Sequence, residues 1–427
     1  MPDKSIKILY GDEGFNLKLQ EHWNPNIIRK PKMPIIKDIN SEIDKIFINS
    51  VGCESLKNVS KKSKTACILV CDITRPVPNN LYIEKLIKKL IEYKLTAENI
   101  LILIATGLHR PASKKEIKNI IGSDWVLKNI NIKNHFARDD EMHSTVGITT
   151  KGNEIKLDKR FLNADLKIVT GLVEPHFMAG YSGGRKVIAP GIAHASTITR
   201  FHSAKYMEDK NAKSCNLINN PLHEDQLEIV NMIGNVYAIN CVIDENRKLS
   251  FINFGDVIKS HEEAVNFIKI YAIVKCDKKY DTIITSAAGA PLDGNFYQTV
   301  KGMVTPLDIL KKGGDLIILS KCNEGLGSEE FKQSQLNLLN IGTDKFLKNI
   351  LNKKHAEIDE WQTEMEIKSL IKGNIYLFSD GLTKAEEQLT GVNIIYNVEN
   401  KINESINNHN NSNIAIIPEG PYVIPTN

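Results

Sequence analysis

The sequence lacks the short patterns that identify most cofactor-binding proteins. Its 7 cysteines are scattered and none forms a C-x-x-C pair, which argues against a zinc ribbon or a redox dithiol. It contains neither a P-loop nor the G-x-G-x-x-G fingerprint of dinucleotide-binding folds. The formal net charge of +4 is spread thinly, without a long basic run, so nucleic acid is not an expected partner. The remaining expectation is a protein of a reducing compartment that acts on small molecules.

Long apolar segments are missing as well. The longest runs, such as ILILIA beginning at Ile100, have the length of a β-strand, and the N-terminus has no secretory apolar region. We therefore expect no membrane span and no signal peptide, and we expect the chain to be cytoplasmic. With 427 residues, of which 42% are hydrophobic and 25% charged, the chain is long enough for two domains.

The chain alternates strand-length apolar runs with amphipathic helices. The runs at 66–72, 100–105 and 166–171 each end in a polar loop, and helical periodicity follows the first two. This rhythm predicts an α/β fold: two α/β domains with mainly parallel sheets. In such sheets, ligands bind beyond the carboxyl ends of the strands.

The polar segment 276–281 marks the predicted domain boundary. We predict an N-terminal cofactor-binding domain over 1–275 and a smaller C-terminal domain over 276–427, with the last residues packing back on the N-terminal domain. Within the second domain, the pattern predicts a helix near 297–312 that closes at Gly313 and Gly314.

One stretch, 174–191, reads EPHFMAGYSGGRKVIAPG and is the most informative part of the chain. Clustered glycines let backbone N–H groups approach an anion, and Arg185 and Lys186 directly after them suit a phosphate. The alternative is a glycine-rich turn without a ligand. Lys186 itself could contact a phosphate, act as a nucleophile, or be an ordinary surface lysine.

Three loops at predicted strand ends carry Arg75, His109 and His176, and we expect these loops to converge on one crevice. An arginine fixed next to a proline suits a bidentate grip on a carboxylate or phosphate, or else a structural salt bridge to a neighbouring acid such as Asp72. Each histidine could be a general acid or base, or a plain hydrogen-bonding residue.

The second domain offers a weaker set of candidates. Gln298 and Lys301 lie three residues apart, with Tyr297 beside them, which suits either binding of a carboxylate or an ordinary polar helix face. Trp361 is by default a core or capping residue. His202 has no neighbouring metal ligand at helical spacing, so the residues alone make it a weak ligand candidate.

Taken together, the motifs resemble the nickel-pincer lactate racemase family over nearly the whole chain. The motifs that carry this resemblance are DITRPVP from Asp72, TGLHRP from Thr106, the stretch 174–191, the histidine at His202, NPLHED from Asn220, YQTVKG from Tyr297, and Trp361. Seven elements in this order and spacing form a specific signal.

The resemblance implies a cofactor that composition does not reveal. This is a pyridinium mononucleotide with 3-thioamide and 5-thiocarboxylic acid arms that hold nickel(II) in a pincer. It is attached covalently to Lys186 and can be absent from the isolated apoprotein. His202 is implied as the protein ligand of the nickel, since soft sulfur donors with an imidazole suit Ni(II). The other residues implied to contact the cofactor are Asp72, Thr74, Tyr181, Ser182, Gly183, Gly184 and Arg185.

The resemblance also implies a division of labour around the substrate, in an active site in the interdomain cleft. His109 and His176 are implied as the acid/base pair on opposite faces of the substrate. The residues implied to bind the substrate, by its carboxylate or in the pocket wall, are Arg75, Tyr297, Gln298, Lys301 and Trp361.

The expected function is therefore an isomerase that interconverts D- and L-lactate, or another 2-hydroxy acid, by reversible hydride transfer. A non-catalytic protein that binds the nickel cofactor is the alternative, which the presence of two histidines and a carboxylate clamp disfavours. A nicotinamide dehydrogenase is disfavoured by the missing fingerprint. Expected partners are a 2-hydroxy acid and, transiently, the proteins that build the cofactor, with no nucleic acid and no membrane.

Overall fold

The computed structural model describes residues 5–427 and divides into two compact units. The N-terminal unit consists of Lys32–Phe201 and Asp209–Ile270. The C-terminal unit consists of the described residues up to Pro31, the short segment His202–Glu208, and Tyr271–Asn427. The chain thus passes between the units several times, whereas the sequence suggested one boundary near 275.

The strands in chain order are β1 Ser5–Ile8, β2 Phe15–Lys18, β3 Asn24–Ile27, β4 Ala66–Cys71, β5 Ile100–Ala105, β6 Asn131–Asn134, β7 His143–Ile148, β8 Glu154–Asp158, β9 Leu166–Leu172, β10 Pro175–His176, β11 Gly180–Tyr181, β12 Val236–Ile243, β13 Leu249–Asp256, β14 Ile273–Lys275, β15 Tyr280–Ser286, β16 Leu310–Leu319, β17 Asn374–Phe378, β18 Asn393–Ile395, β19 Asn413–Ile417 and β20 Ile424–Thr426. The helices are α1 Ile39–Ile48, α2 Leu56–Lys61, α3 Ile83–Glu92, α4 Lys114–Ile121, α5 Asp124–Asn129, α6 Lys159–Leu162, α7 Arg185–Ile188, α8 Ala195–Phe201, α9 Ala204–Met207, α10 Pro221–Ile233, α11 Lys259–Ala272, α12 Phe296–Val304, α13 Glu329–Ile341, α14 Thr343–Leu351, α15 Glu360–Lys372, α16 Lys384–Leu389 and α17 Val398–His409.

The N-terminal unit is built on a six-stranded sheet in the order β13-β12-β9-β4-β5-β6. All neighbouring pairs are parallel except the β12–β13 hairpin. Helices cover both faces, so the central strands are apolar on both sides. In β4, Ile68 and Val70 join one core, with α1 and α3, while Cys67 and Leu69 join the opposite core, with α7 and α10.

The C-terminal unit contains a second six-stranded sheet, β18-β17-β16-β15-β19-β3, in which every neighbouring pair is parallel. The edge strand β3 comes from the start of the chain and pairs with β19. The last strand, β20, pairs with β14 at the beginning of the same unit. The two sheets confirm the predicted α/β class with mainly parallel strands.

One predicted element is wrong. The helix expected near 297–312 ends at Val304, and a short 3-10 turn over Thr305–Asp308 leads directly into β16. Pro306 explains the early end, because proline lacks the N–H that an α-helix interior requires. Gly313 and Gly314, which were expected to close the helix, lie inside β16.

Among residues 5–427, no helix is both long enough and apolar enough to cross a membrane.

Candidate active site

Three adjacent strands of the N-terminal sheet end at the same edge. β4 lies between β9 and β5 and is parallel to both, so their carboxyl ends are side by side. Asp72 follows β4 directly, Thr106 follows β5, and Glu174 lies two residues beyond β9. The loops carrying Arg75, His109 and His176 are therefore anchored at neighbouring positions, as the alternating sequence pattern predicts.

Asp72 and His109 form a hydrogen-bonded pair across two of these loops. Nδ1 of His109 lies 2.6 Å from Oδ2 of Asp72. The other carboxylate oxygen, Oδ1, accepts from the backbone N–H of Thr74 at 3.1 Å and from its hydroxyl at 2.6 Å. Burial tends to raise the pKa of Asp72, but the bonds from His109 and Thr74 outweigh burial and hold this pKa below its usual value.

The two side chains of this pair differ strongly in their exposure to solvent. The side chain of Asp72 is 9% exposed, whereas that of His109 is 51% exposed. A buried carboxylate that holds one ring nitrogen of an accessible histidine leaves the other nitrogen to face a ligand. Asp72 thus forms hydrogen bonds with Thr74 and His109, and the contact of Asp72 and Thr74 with a cofactor stays a prediction.

Arg75 forms an ion pair with Glu174, which joins the loops after β4 and β9. The side chain of Arg75 is 22% exposed, so the guanidinium is accessible in part. Burial lowers the pKa of Arg75, but the nearby charge of Glu174 outweighs burial and the pKa is raised overall. The salt bridge considered from the sequence exists, but its acid is Glu174 and not Asp72.

His176 sits in a tight hairpin formed by β10 and β11, in which it pairs with Gly180. The backbone N–H groups of Met178 and Ala179 donate to its Nδ1 at 3.3 and 3.2 Å. The ring also stacks on Phe177, with 5.2 Å between ring centroids. The turn therefore fixes both the position and the orientation of a buried imidazole.

The glycines after this hairpin are required by close packing. Gly183 has φ +77°, and a Cβ there would lie 2.7 Å from Cγ2 of Val173. Gly184 has φ +49°, and a Cβ there would lie 2.9 Å from the ring of His261. Both positions thus exclude L side chains for steric and conformational reasons. Tyr181 and Ser182, which precede these glycines, are buried.

Arg185 points into the protein and is only 1% exposed. Its Nε donates to Nδ1 of His223 at 2.8 Å, and its Nη1 lies 2.8 Å from Nε2 of His261. Its Nη2 donates to the carbonyl of Ala179 at 3.2 Å, and its Nη1 donates to the carbonyl of Tyr181 at 3.4 Å. Burial lowers the pKa of Arg185 to about 9, so the guanidinium is still charged at neutral pH.

The histidines beside Arg185 carry no compensating charge. Burial and the guanidinium lower the pKa of His223 to about 3, and burial, with Arg185, holds the pKa of His261 well below its usual value. In the described part of the chain, all hydrogen-bond partners of Arg185 are therefore neutral at pH 7. A positive charge remains beneath the glycine-rich segment, which favours an anion nearby.

Lys186 occupies the second position of α7, a helix that packs against β4 and β9. Burial and the nearby charge of Asp72 raise the pKa of the Cys71 thiol to about 12, although the positive charges of Arg75 and Lys186 act in the opposite direction. The charges of Lys186 and Arg75 thus both act at the end of β4. Lys186 is half-buried on this helix.

In the C-terminal unit, Gln298 and Lys301 share one face of α12, and Nζ of Lys301 donates to Oε1 of Gln298. Asn295 caps the helix by accepting from the backbone N–H of Gln298 at 3.0 Å. A lysine amine next to an amide on one helix face can bind a carboxylate in the way the sequence suggested.

Trp361 joins this helix to the segment that carries His202. Its Nε1 donates to the hydroxyl of Tyr297 at 3.1 Å, and its ring lies 4.5 Å from that of His202, centroid to centroid. His202 follows α8 and precedes α9, which packs with α14 and α15 in a small core containing Ala204 and Phe346. The structure therefore brings Tyr297, Trp361 and His202 together within the C-terminal unit.

Sequence reasoning missed three residues of the N-terminal unit. Glu174, His223 and His261 had no assigned role, although they hold Arg75 and Arg185. Local patterns gave no signal for the histidines, since their partner lies 38 residues away from His223 and 76 from His261.

Two family models match the chain. The model described as the lactate racemase N-terminal domain matches residues 10–214, and the one described as the lactate racemase C-terminal domain matches residues 275–424. The lactate racemase of Thermoanaerobacterium thermosaccharolyticum is 31% identical over 98% of this chain and 99% of its own length.

The chain belongs to the lactate racemase family. The lactate racemase of Lactiplantibacillus plantarum is 32% identical over 79% of each chain. The solved structure of the T. thermosaccharolyticum lactate racemase apoprotein matches with a TM-score of 0.90 at 29% identity, over 99% of this chain and 100% of that one. A Thermotoga maritima protein shares the fold with a TM-score of 0.67 at 17% identity, over 91% and 97% of the two chains.

These comparisons confirm the family that the motifs indicated, and with it the prediction that the chain is an enzyme of the isomerase class. The roles assigned to single residues stay predictions.

Proposed function

We propose that this chain interconverts the D and L forms of lactate, or of a closely related 2-hydroxy acid, with His109 and His176 handling the hydroxyl proton. The observation that carries the proposal is the Asp72–His109 pair, because a buried carboxylate bonded to an accessible imidazole is an arrangement suited to proton transfer at neutral pH. Membership in the lactate racemase family supports the same reaction class.

Arg75 is the residue of the N-terminal unit that would hold the substrate carboxylate. Its ion pair with Glu174 uses part of the guanidinium fork, and the fork has five N–H donors in one plane. A carboxylate bound by the remaining donors would be fixed relative to His109, since Asp72 and Arg75 are on one loop. In the C-terminal unit, the residues that would contact the substrate are Lys301 and Gln298, with Tyr297 and Trp361.

The residues present fit the pincer cofactor that the resemblance implies. In the described residues, no group of three or more His, Cys, Asp or Glu side chains is arranged to hold a metal, which fits a cofactor that brings its own sulfur and carbon donors and needs one histidine. We assign that ligand to His202 and the covalent attachment to Lys186. The uncompensated charge of Arg185 favours the cofactor phosphate nearby, with Tyr181, Ser182 and the glycines Gly183 and Gly184 forming the backbone around it. When bound, such a cofactor would supply a reversible acceptor for the C2 hydride of the substrate.

The chain's own groups would then perform the proton chemistry. His109 accepts the hydroxyl proton at Nε2, and Asp72 stabilises the resulting imidazolium through Nδ1. His176 accepts and returns the hydroxyl proton of the opposite enantiomer. Reaction at both faces of a planar keto acid gives racemisation without release of that acid.

Production of the full chain together with the cofactor-building proteins tests this proposal. Pure D- and pure L-lactate are incubated separately, and both enantiomers are followed by chiral chromatography, beside a panel of larger 2-hydroxy acids. We expect both lactate reactions to approach an equal mixture. A protein that carries the adduct on Lys186 but racemises none of the acids contradicts the proposal and indicates a cofactor-binding protein without catalysis.

We further propose that the enzyme works in the cytoplasm, in transient contact with the cofactor-building proteins. Its seven cysteines are all free, as in a reducing compartment.

A further inference from the structure

The two histidines of the site have their Nδ1 atoms bonded to opposite kinds of partner. Nδ1 of His109 faces the carboxylate oxygen Oδ2 of Asp72 at 2.6 Å. An ionised carboxylate only accepts hydrogen bonds, so Nδ1 of His109 must carry a proton. In the neutral ring, Nε2 of His109 is then unprotonated and can accept a proton.

His176 shows the reverse arrangement. Its Nδ1 receives the backbone N–H groups of Met178 at 3.3 Å and Ala179 at 3.2 Å. A backbone N–H only donates, so Nδ1 of His176 must present a lone pair. The proton of the neutral ring is then on Nε2, which can donate a hydrogen bond but cannot accept a proton.

Arg185 stabilises the turn that requires Nδ1 of His176 to be unprotonated. The guanidinium donates to the carbonyls of Ala179 and Tyr181, which lie on either side of Gly180 in the hairpin. His223 and His261 fix the guanidinium in turn. The backbone N–H of Ala179 is thereby kept pointing at the imidazole, because the peptide units around it cannot rotate freely.

We propose that Asp72 and the turn braced by Arg185 hold His109 and His176 in opposite tautomers, His109 with its proton on Nδ1 and His176 with its proton on Nε2. Asp72 and Arg185 are positioning residues in this arrangement. Its catalytic meaning rests on the proposed function, whereas the tautomers themselves do not depend on it.

The consequence is that the two histidines begin the reaction in different roles. For the enantiomer whose hydroxyl faces His109, Nε2 takes the hydroxyl proton, and the ring becomes an imidazolium balanced by Asp72. Nε2–H of His176 is meanwhile a neutral hydrogen-bond donor that can stabilise a carbonyl oxygen. For the other enantiomer, His176 must accept at Nε2, which requires a proton on Nδ1 and therefore loss of both backbone hydrogen bonds. The first proton transfer from one enantiomer thus needs no rearrangement. Formation or use of the other enantiomer needs the turn to open and Nδ1 of His176 to take up a proton from solvent, while His109 returns its proton to solvent.

Ring-nitrogen NMR of the full chain, labelled with ¹⁵N-histidine and purified without cofactor, tests the tautomers directly. Protonated and unprotonated ring nitrogens resonate in separate ranges, and the variants His109→Gln and His176→Gln assign the two rings by loss of their signals. We expect a proton on Nδ1 of His109 and on Nε2 of His176 at neutral pH. The same tautomer in both rings, or a proton on Nδ1 of His176, overturns the proposal.

The variant Asp72→Asn sharpens the test. Two donors from Thr74 hold Oδ1, so the amide oxygen of the asparagine must stay there and its NH₂ group must face His109. We expect His109 to switch to the Nε2–H tautomer and racemisation by the cofactor-loaded protein to fall about 10⁴-fold, as the corresponding substitution does in serine proteases. An unchanged His109 spectrum, or a switched tautomer with unchanged racemisation, overturns the proposal. Asp165→Asn is the matched control, because one carboxylate oxygen of Asp165 also accepts two hydrogen bonds, here from the backbone N–H groups of Lys64 and Thr65, but Asp165 lies outside the site.

His223→Ala tests whether Arg185 holds the turn that contains His176. It removes one partner of Arg185 at a half-buried position, which is milder than replacing Arg185 itself. We expect the His176 signals to show exchange between tautomers while those of His109 stay unchanged. A His176 ring that keeps its single tautomer removes Arg185 from its positioning role. A wild-type protein with the expected tautomers that racemises no 2-hydroxy acid overturns the proposed function and leaves the tautomers standing.

Discussion

Glu174 and Arg75, which are 99 residues apart in the sequence, form an ion pair between the loops that follow β9 and β4. The pair links the loop of His176 to the loop of Asp72, the partner of His109. Both side chains are mostly buried, at 15% and 22% exposure, so removal of either partner leaves the other charge poorly solvated. The arginine proposed to hold the substrate is therefore itself held by the chain.

Arg75→Lys is expected to raise KM for the substrate about 10- to 100-fold, a cost of roughly 1.4 to 2.7 kcal/mol in binding. Lysine keeps the charge but has no planar fork, so it cannot bind Glu174 and a substrate carboxylate together. Initial-rate measurements check this, with Arg29→Lys as the control at the Arg29–Glu419 pair outside the site. Unchanged kinetics in the Arg75 variant would remove Arg75 from the substrate site.

Lys186→Arg is expected to give a folded protein without a covalent adduct, because a guanidinium is a poor nucleophile at neutral pH. Intact-mass spectrometry after production with the cofactor-building proteins provides the measurement. Lys205→Arg, at the exposed start of α9, is the control and should keep the adduct. An adduct that persists in the Lys186 variant, or that disappears from the Lys205 variant, contradicts the assignment.

Stability should fall in mild acid in part because of His135. Burial lowers the pKa of this imidazole to about 3, with Asp158 opposing the shift and the nearby His143, Arg160 and His194 adding to it. His135 takes up a proton near pH 6.5 in the unfolded chain, but only near pH 3 in the folded chain. The folded state therefore loses about 1.4 kcal/mol per pH unit from this group as the pH falls through that window.

Urea unfolding of His135→Gln across this pH range isolates the contribution. The difference in unfolding free energy between variant and wild type should shift in favour of the variant as the pH falls from 6.5 towards 4.5. His22→Gln, at an exposed histidine, is the control. A difference that does not change with pH would show that His135 is protonated in the folded protein.

Glu366 should lower the stability of the folded chain as the pH rises, in contrast to His135. This carboxyl is fully buried, and burial raises its pKa to about 8, with a hydrogen bond from Gln335 limiting the rise. The unfolded chain releases the proton near pH 4.5, so folding loses about 1.4 kcal/mol per pH unit as the pH rises from there towards 8. Glu366→Gln should remove this loss and be more stable than wild type at pH 8.

Thermal unfolding followed by circular dichroism at pH 5 and pH 8 checks the Glu366 prediction, with the exposed Glu21→Gln as control. If the stability of Glu366→Gln relative to wild type does not increase between pH 5 and pH 8, the buried carboxyl is ionised in the folded chain.

Local sequence patterns predicted the elements but not their long-range partners. The strand over 100–105 depends on neighbouring residues and is present as expected. The helix predicted over 297–312 is wrong because Pro306 ends it after Val304.

The candidate site shows the same division. The strand rhythm placed Arg75, His109 and His176 on adjacent loops, because parallel strands share an edge. It could not give the Arg75–Glu174 pair, nor show that Arg185 points inward, since both depend on how distant segments pack. The cofactor came from the resemblance alone, because no composition or spacing encodes a group that the chain does not contain.

The most direct test of the central claim is the fate of the C2 hydrogen, because the histidines are assigned to the hydroxyl proton and not to C2. Cofactor-loaded protein is incubated with C2-deuterated L-lactate in ordinary water, and the D-lactate formed is separated and its deuterium content measured by mass spectrometry. We predict that the D-lactate keeps its deuterium, since a hydride that is removed and returned does not exchange with water. D-lactate that has lost its deuterium to solvent would mean that a base of the protein removes the C2 hydrogen as a proton, and would contradict the proposed function.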